Sequence, residues 1–178
     1  MKCLLIYYTG TYNTRYLTNK LKDKLSSKEI EVDVYEFNPL KTERLDYSNY
    51  DMVGIGYPIY AFNVPSKFLK FIRKQQFKKD SKVFIYKDSG ETYKINDASS
   101  INVLRKLKRN KAIIKNEYHF MMPYNIHFRF EENLIKEMLD KNNLLLAPYV
   151  VMDGMNEKGL VVSVLQLTDK ICKQKTGK

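Results

Sequence analysis

Three threonine hydroxyls, an amide and a glycine fall within six residues at Thr9-Gly10-Thr11-Tyr12-Asn13-Thr14, soon after the apolar run Cys3-Leu4-Leu5-Ile6. A buried strand that breaks into such a loop and then enters a helix builds an anion site. The backbone N–H groups at the helix start point outward, and the helix dipole favours negative charge there. The pattern points to a ligand that carries phosphate.

Two further segments could meet the rest of such a ligand. Gly56-Tyr57-Pro58-Ile59-Tyr60-Ala61-Phe62-Asn63-Val64-Pro65 sets aromatics beside small residues and backbone amides, a suitable wall for a flat heterocycle. Lys87-Asp88-Ser89-Gly90-Glu91-Thr92 offers polar groups and a flexible glycine for a polar ring edge. Taken singly, Tyr57, Tyr60 and Phe62 read more simply as residues packing their loop onto the core. Three such loops on one sheet edge carry more weight than any one of them.

The elements that must hold these loops alternate regularly. Strands are predicted over Lys2 to Tyr8, Ile30 to Phe37, Asp51 to Gly56, Lys82 to Lys87 and Ala112 to Met121. Helices are predicted over Thr14 to Leu25, with Leu17, Leu21 and Leu25 on one stripe, and over Pro65 to Arg73. Two more are expected over Ala98 to Lys108, with Ile101, Leu104 and Leu107 inward, and from Glu131 to Lys141. This order implies an α/β domain with a parallel sheet covered on both faces.

At 178 residues, with 44% hydrophobic and 13% aromatic content, the chain suits one folded domain. Without a long apolar run or a secretory leader, the expectation is a cytoplasmic protein with no membrane partner. Cys3 and Cys172 supply neither a metal spacing nor a disulfide framework. The net charge of +11 is concentrated in three places. These are Arg73 to Lys82, Arg105 to Lys115, and the tail from Lys170 to Lys178. Such runs are usually wet helix ends. No nucleic-acid-binding module accompanies them, so a nucleic-acid partner is not expected.

The chain resembles the flavodoxin family, and more closely the flavodoxin-like domain that heads fused flavodoxin–ferredoxin proteins of anaerobes. The resemblance covers about residues 1–140. It rests on Thr9 to Thr14, on Gly54-Ile55-Gly56-Tyr57-Pro58-Ile59-Tyr60-Ala61-Phe62-Asn63, and on Met122-Pro123-Tyr124-Asn125-Ile126-His127-Phe128-Arg129. It implies a doubly wound, five-stranded parallel sheet of order 2-1-3-4-5 and FMN as cofactor. Open sheets of this kind bind ligands outside the carboxyl ends of their strands, a rule for which flavodoxin with FMN is itself a standing example.

By position, the resemblance assigns the FMN phosphate to Thr9, Gly10, Thr11, Tyr12, Asn13 and Thr14. Pro58, Ile59, Tyr60, Ala61, Phe62 and Asn63 would lie along the isoalloxazine, and Asp88, Ser89, Gly90 and Glu91 at its polar edge. The implied role is electron transfer with a redox protein, the basic charge favouring an acidic ferredoxin. No side chain need act as a catalytic acid or base, because the flavin supplies the chemistry.

Two departures from the family stand out. The family usually places glycine just before the Asn-Thr pair, where this chain has Tyr12. If that position needs a positive φ, tyrosine is strained there and phosphate binding is weakened. The chain also lacks the clustered cysteines that iron–sulfur centres require. His127 and Arg129, two apart at the exit of the fifth strand, read as surface residues more readily than as flavin contacts.

After residue 143 the character changes. Leu144 to Met152 and Leu160 to Leu167 read as strands joined by Asp153-Gly154-Met155-Asn156-Glu157-Lys158-Gly159, a β-hairpin. Residues 147–178 resemble an internal segment of the choloylglycine and linear amide C–N hydrolase family, in which the residue matching Asn156 shapes the oxyanion site. That family uses an N-terminal cysteine, whereas Cys3 lies behind Met1 and Lys2 inside a strand. The expectation is a flavodoxin-like domain over 1–143 joined by gene fusion to a fragment over 144–178, without amide hydrolase activity. The competing expectation is a truncated relic that binds flavin weakly or not at all.

Overall fold

The computed structural model describes residues 1–41, 43–90, 94–123 and 132–149. Five strands, β1 (Lys2–Tyr7), β2 (Glu31–Glu36), β3 (Met52–Pro58), β4 (Lys82–Ser89) and β5 (Ile113–Met121), form one parallel sheet. Their order is β2-β1-β3-β4-β5, so strand order reverses beside β1. The expected architecture is the one observed. Helices α1 (Asn13–Ser26), α2 (Ser66–Lys74), α3 (Ile101–Arg109) and α4 (Glu132–Tyr149) flank it.

Side chains alternate across the central strands, as a pleat requires. Leu4, Ile6, Val53, Ile55, Val83 and Ile85 pack with Phe68, Phe71 and Ile72 of α2 and Val103 and Leu107 of α3. The opposite face carries Cys3, Leu5, Tyr7, Phe84 and Tyr86, which meet the Leu17, Leu21 and Leu25 stripe of α1. On this second face β3 has glycines. A Cβ on Gly56 would lie 2.3 Å from ring atoms of Tyr86, so the missing side chain is what admits that ring.

A register shift between Val83 and Phe84 skips one residue of β5, so that Lys87 pairs with His119 and Ser89 with Met121. An inserted residue changes which face of the strand the later side chains occupy. This bulge puts Glu117 and His119 on the face shared by Lys87 and Ser89.

Three sequence expectations are corrected. Strand β4 continues two residues past Lys87, through Asp88 and Ser89. Helix α3 begins at Ile101 after a 3₁₀ segment over Lys94–Ser100, and Val103 and Leu107 are its buried residues. Ile101 is 42% exposed instead of inward. Lastly, Leu144 to Tyr149 are not strand but the end of α4, which runs through the proposed 143/144 boundary. Leucine and alanine are strong helix formers, and a short apolar run does not by itself distinguish strand from helix. The rest of the expected hairpin lies outside the described residues.

Candidate functional site

The carboxyl edge of β1, β3 and β4 brings the predicted loops together. Gly10 lies directly under the second loop, where an added Cβ would sit 1.9 Å from the Tyr60 hydroxyl. The Ile59 N–H donates to the Asp88 carbonyl at 2.8 Å, joining the second loop to β4. Thr14 Oγ1 donates to Asp88 Oδ1 at 2.6 Å, and Asn13 Nδ2 to the Pro123 carbonyl at 2.8 Å. Thus α1 is tied both to β4 and to the segment leaving β5.

The first loop has the features of an anion site. Tyr12 occupies the N-cap of α1, supplies no side-chain capping bond, and is followed by no acidic residue in the first turn. The positive end of a fourteen-residue helix therefore keeps its attraction for an outside anion. Thr9 Oγ1 is buried and has no hydrogen-bond partner among the described residues. A buried hydroxyl without a partner is costly, and a phosphate oxygen would satisfy it.

Tyr12 has φ 69° and ψ −7°, the left-handed conformation that its glycine-like position requires. Its ring is 66% exposed and stacks under the Arg15 guanidinium, 4.7 Å from ring centre to Cζ. Arg15 in turn pairs with Glu36 at 2.6 Å, and Glu36 also accepts from the Tyr7 hydroxyl.

The second loop is a tight turn under strain. Tyr60 and Asn63 exchange both backbone hydrogen bonds, at 2.9 and 3.0 Å. Between them Ala61 and Phe62 have φ 46° and 63°, the signs of a type I′ turn built without its usual Asn-Gly. A bulky residue in that region is an outlier, and such strain gathers at binding sites. The turn holds Phe62 half exposed at the sheet edge. Tyr8 packs edge-on to Tyr60, while Tyr57 is fully buried in the core.

The third segment divides at the end of β4. Gly90 is half-buried beyond the strand, and Glu91, like His127 and Arg129, lies outside the described residues. Asp88 is buried on the α1 side, where burial lifts its carboxyl from 3.8 to about 7 against the opposing pull of the Thr14 hydrogen bond. Lys87 is buried on the opposite side and pairs with Glu117. Its Nζ also donates to the carbonyls of Asn96 and Asp97, at 2.9 and 3.3 Å. Ser100 Oγ donates to Glu117 at 2.6 Å. Ser89 Oγ and His119 Nε2 are 2.7 Å apart, and burial together with the Lys87 charge lowers His119 to about 4, so its ring is neutral near pH 7. This network, absent from the sequence expectation, straps the 3₁₀ segment onto β4 and β5. A lysine closing an apolar strand run was its one visible sign.

Elsewhere, Cys3 is buried in β1 with its thiol pushed up to about 12, the reverse of an activated nucleophile. Among the described residues no group of three or more acidic, His or Cys side chains could hold a metal ion, and no helix is long and apolar enough to cross a membrane. A groove of about 450 Å³ beside α2 and α3 is lined by Arg73, Asn102, Arg105, Lys106 and Arg109, four cations and an amide.

A family model described as flavodoxin domain matches residues 4–112. No curated protein matches the chain. Among solved structures it is similar to oxidised flavodoxin 2 from Bacillus cereus, with TM-score 0.62 and 14% identity over 85% of this chain and 96% of that one. Oxidised flavodoxin 1 from the same organism gives 0.54 and 15% over 80% and 95%. General stress protein 14 from Treponema denticola, in complex with FMN, gives 0.54 and 15% over 84% and 98%. At such identities the likeness speaks for the fold.

Proposed function

The chain belongs to the flavodoxin domain family, and from that premise we propose that it binds FMN at this edge and passes electrons to a redox partner as a cytoplasmic carrier. The observation that carries the reading is the first loop. An uncapped helix start and the unpartnered Thr9 hydroxyl converge there, under a second loop that closes over Gly10. The residues fit the group. Thr9, Thr11, Thr14 and the amides that open α1 would hold the phosphate. Tyr60 and Phe62 would line the ring, and Ser89 and Gly90 would approach its polar edge.

Bound FMN supplies the redox chemistry, while the protein binds, orients and shields it. The partner surface follows from charge. A chain of net charge +11 with a groove of four cations attracts an acidic protein, such as a ferredoxin, through long-range steering. The visible spectrum of freshly purified protein tests the reading. Flavin absorption that copurifies and is bleached by dithionite supports it. Protein that stays colourless after incubation with FMN sinks it.

A second reading rests on Tyr12. Its left-handed backbone is unfavourable for any residue with a side chain, so the loop is held at a cost. On this reading the domain is a scaffold whose flavin affinity has decayed. Titrating FMN into the native protein and into Tyr12→Gly separates the two. A large gain from glycine supports decay, and little change supports a working site.

A further inference from the structure

We infer that Asp88 makes phosphate binding proton-linked: the site takes the FMN phosphate when the Asp88 carboxyl carries a proton and rejects it when that carboxyl is ionised. The inference rests on the FMN reading above and deepens it.

A threonine hydroxyl has one proton to donate. Thr14 spends it on Asp88 Oδ1, 2.6 Å away and buried, while standing in the first turn of α1 where the phosphate would sit. An ionised carboxylate only accepts, so it holds that proton away from the ligand. A protonated carboxyl can donate to Thr14 Oγ1 instead. The Thr14 proton is then released toward a phosphate oxygen. One proton on Asp88 reverses the direction of the bond and removes a negative charge one hydroxyl away from a dianion. Overall, site, phosphate and one proton combine. No bond is made or broken except at that proton.

Among the described residues Asp88 has no countercharge. Its partner on α1 is Thr14; one turn on, Thr18 donates to the Thr14 carbonyl at 2.7 Å and lies 2.9 Å from the Tyr86 hydroxyl. The titratable groups that sense its charge are Tyr60 of the second loop and Tyr86 of its own strand, both pushed up chiefly by burial. Arg15, next to Thr14, is engaged by Glu36. Lys87 and His119 belong to the opposite face, bound to Glu117 and Ser89. Burial, opposed by the Thr14 bond, brings the Asp88 carboxyl to about 7, where physiological pH divides the two forms. A bound phosphate raises it further, so binding above that value draws a proton from solvent.

The test compares FMN with riboflavin, which lacks the phosphate, by flavin fluorescence quenching on the whole protein and on Asp88→Asn. The window runs from about pH 7 to pH 8.5, above the second phosphate ionisation near 6. The expected result is that the FMN dissociation constant of the native protein rises about tenfold per pH unit. Riboflavin binding stays flat, and Asp88→Asn binds FMN without that slope. Calorimetry of the native protein in two buffers of different ionisation enthalpy should show up to one proton taken up per FMN at the alkaline end. This readout needs no variant to fold. FMN that binds the native protein with a flat profile and no proton uptake overturns the inference while leaving the FMN reading in place. A slope retained in Asp88→Asn overturns it too. Failure of both proteins to bind FMN or riboflavin at any pH overturns the FMN reading itself.

Discussion

Lys87 and Asp88 are consecutive, both buried, and point to opposite faces of the same strand end. Lys87 is neutralised by Glu117 and further bonded by two backbone carbonyls. Among the described residues Asp88 has one hydroxyl and no cation, and its carboxyl rises to about 7. The same burial therefore has two outcomes. A buried lysine given an acidic partner becomes a structural strap. A buried acid given only a hydroxyl sits between its two forms, and it does so under the first loop.

The largest expected effect concerns Asp88 and pH. In the unfolded chain the carboxyl titrates near its ordinary 3.8 and in the folded chain near about 7. The folded state therefore binds the extra proton between these values, and stability falls as pH rises from about 4 through about 7. The loss is about 4 kcal/mol if the full shift is realised. His119, lowered to about 4, works in the opposite direction, its contribution lost as pH falls. Subtracting the urea-unfolding profile of Asp88→Asn from that of the native protein isolates the Asp88 share. A difference that does not change between about pH 4 and pH 8 removes the contrast with Lys87.

Breaking the paired side comes next. Lys87→Met strands Glu117 and should cost about 3 kcal/mol, the low end for a broken buried pair because Glu117 retains some solvent contact. The melting temperature should drop by roughly 6 to 12 °C. Hydrogen exchange should quicken over Lys94–Ser100, which this pair straps down. Adding Glu117→Leu should restore most of the loss, since removing both charges removes the stranded one.

Below the Asp88 side, Gly56→Ala drives a methyl against the fully buried Tyr86 ring. Denaturant unfolding should show a cost of about 2 kcal/mol. Smallest is Tyr12→Gly, which relieves a left-handed tyrosine and should stabilise by about 1 kcal/mol, less what the Arg15 stacking contributes.

Much of this was legible in the residues. The apolar runs and the leucine stripe of α1 set out the sheet and its covering, because burial imposes periods of 2 and 3.6 on any sequence. The first loop was legible because hydroxyls and glycine after a buried strand have few other uses. The Tyr12 strain could be foreseen from its position alone. The end of β4 could not. Charged residues rarely enter a buried strand, so Lys87 read as the last strand residue and Asp88 as loop. What admits them is Glu117 across the sheet and Thr14 far back in the chain, and neither contact leaves a local mark. The second-loop turn was hidden for a related reason. Ala61 and Phe62 adopt positive φ that neither residue type advertises.

Whether the first loop is a phosphate site is tested most directly by the affinity difference between FMN and riboflavin. Measured near pH 6.5, where the Asp88 carboxyl is largely protonated, FMN should bind at least about 100-fold more tightly, since hydrogen bonds to a charged group contribute about 1.5 to 3 kcal/mol each. Equal affinity for the two flavins would contradict it.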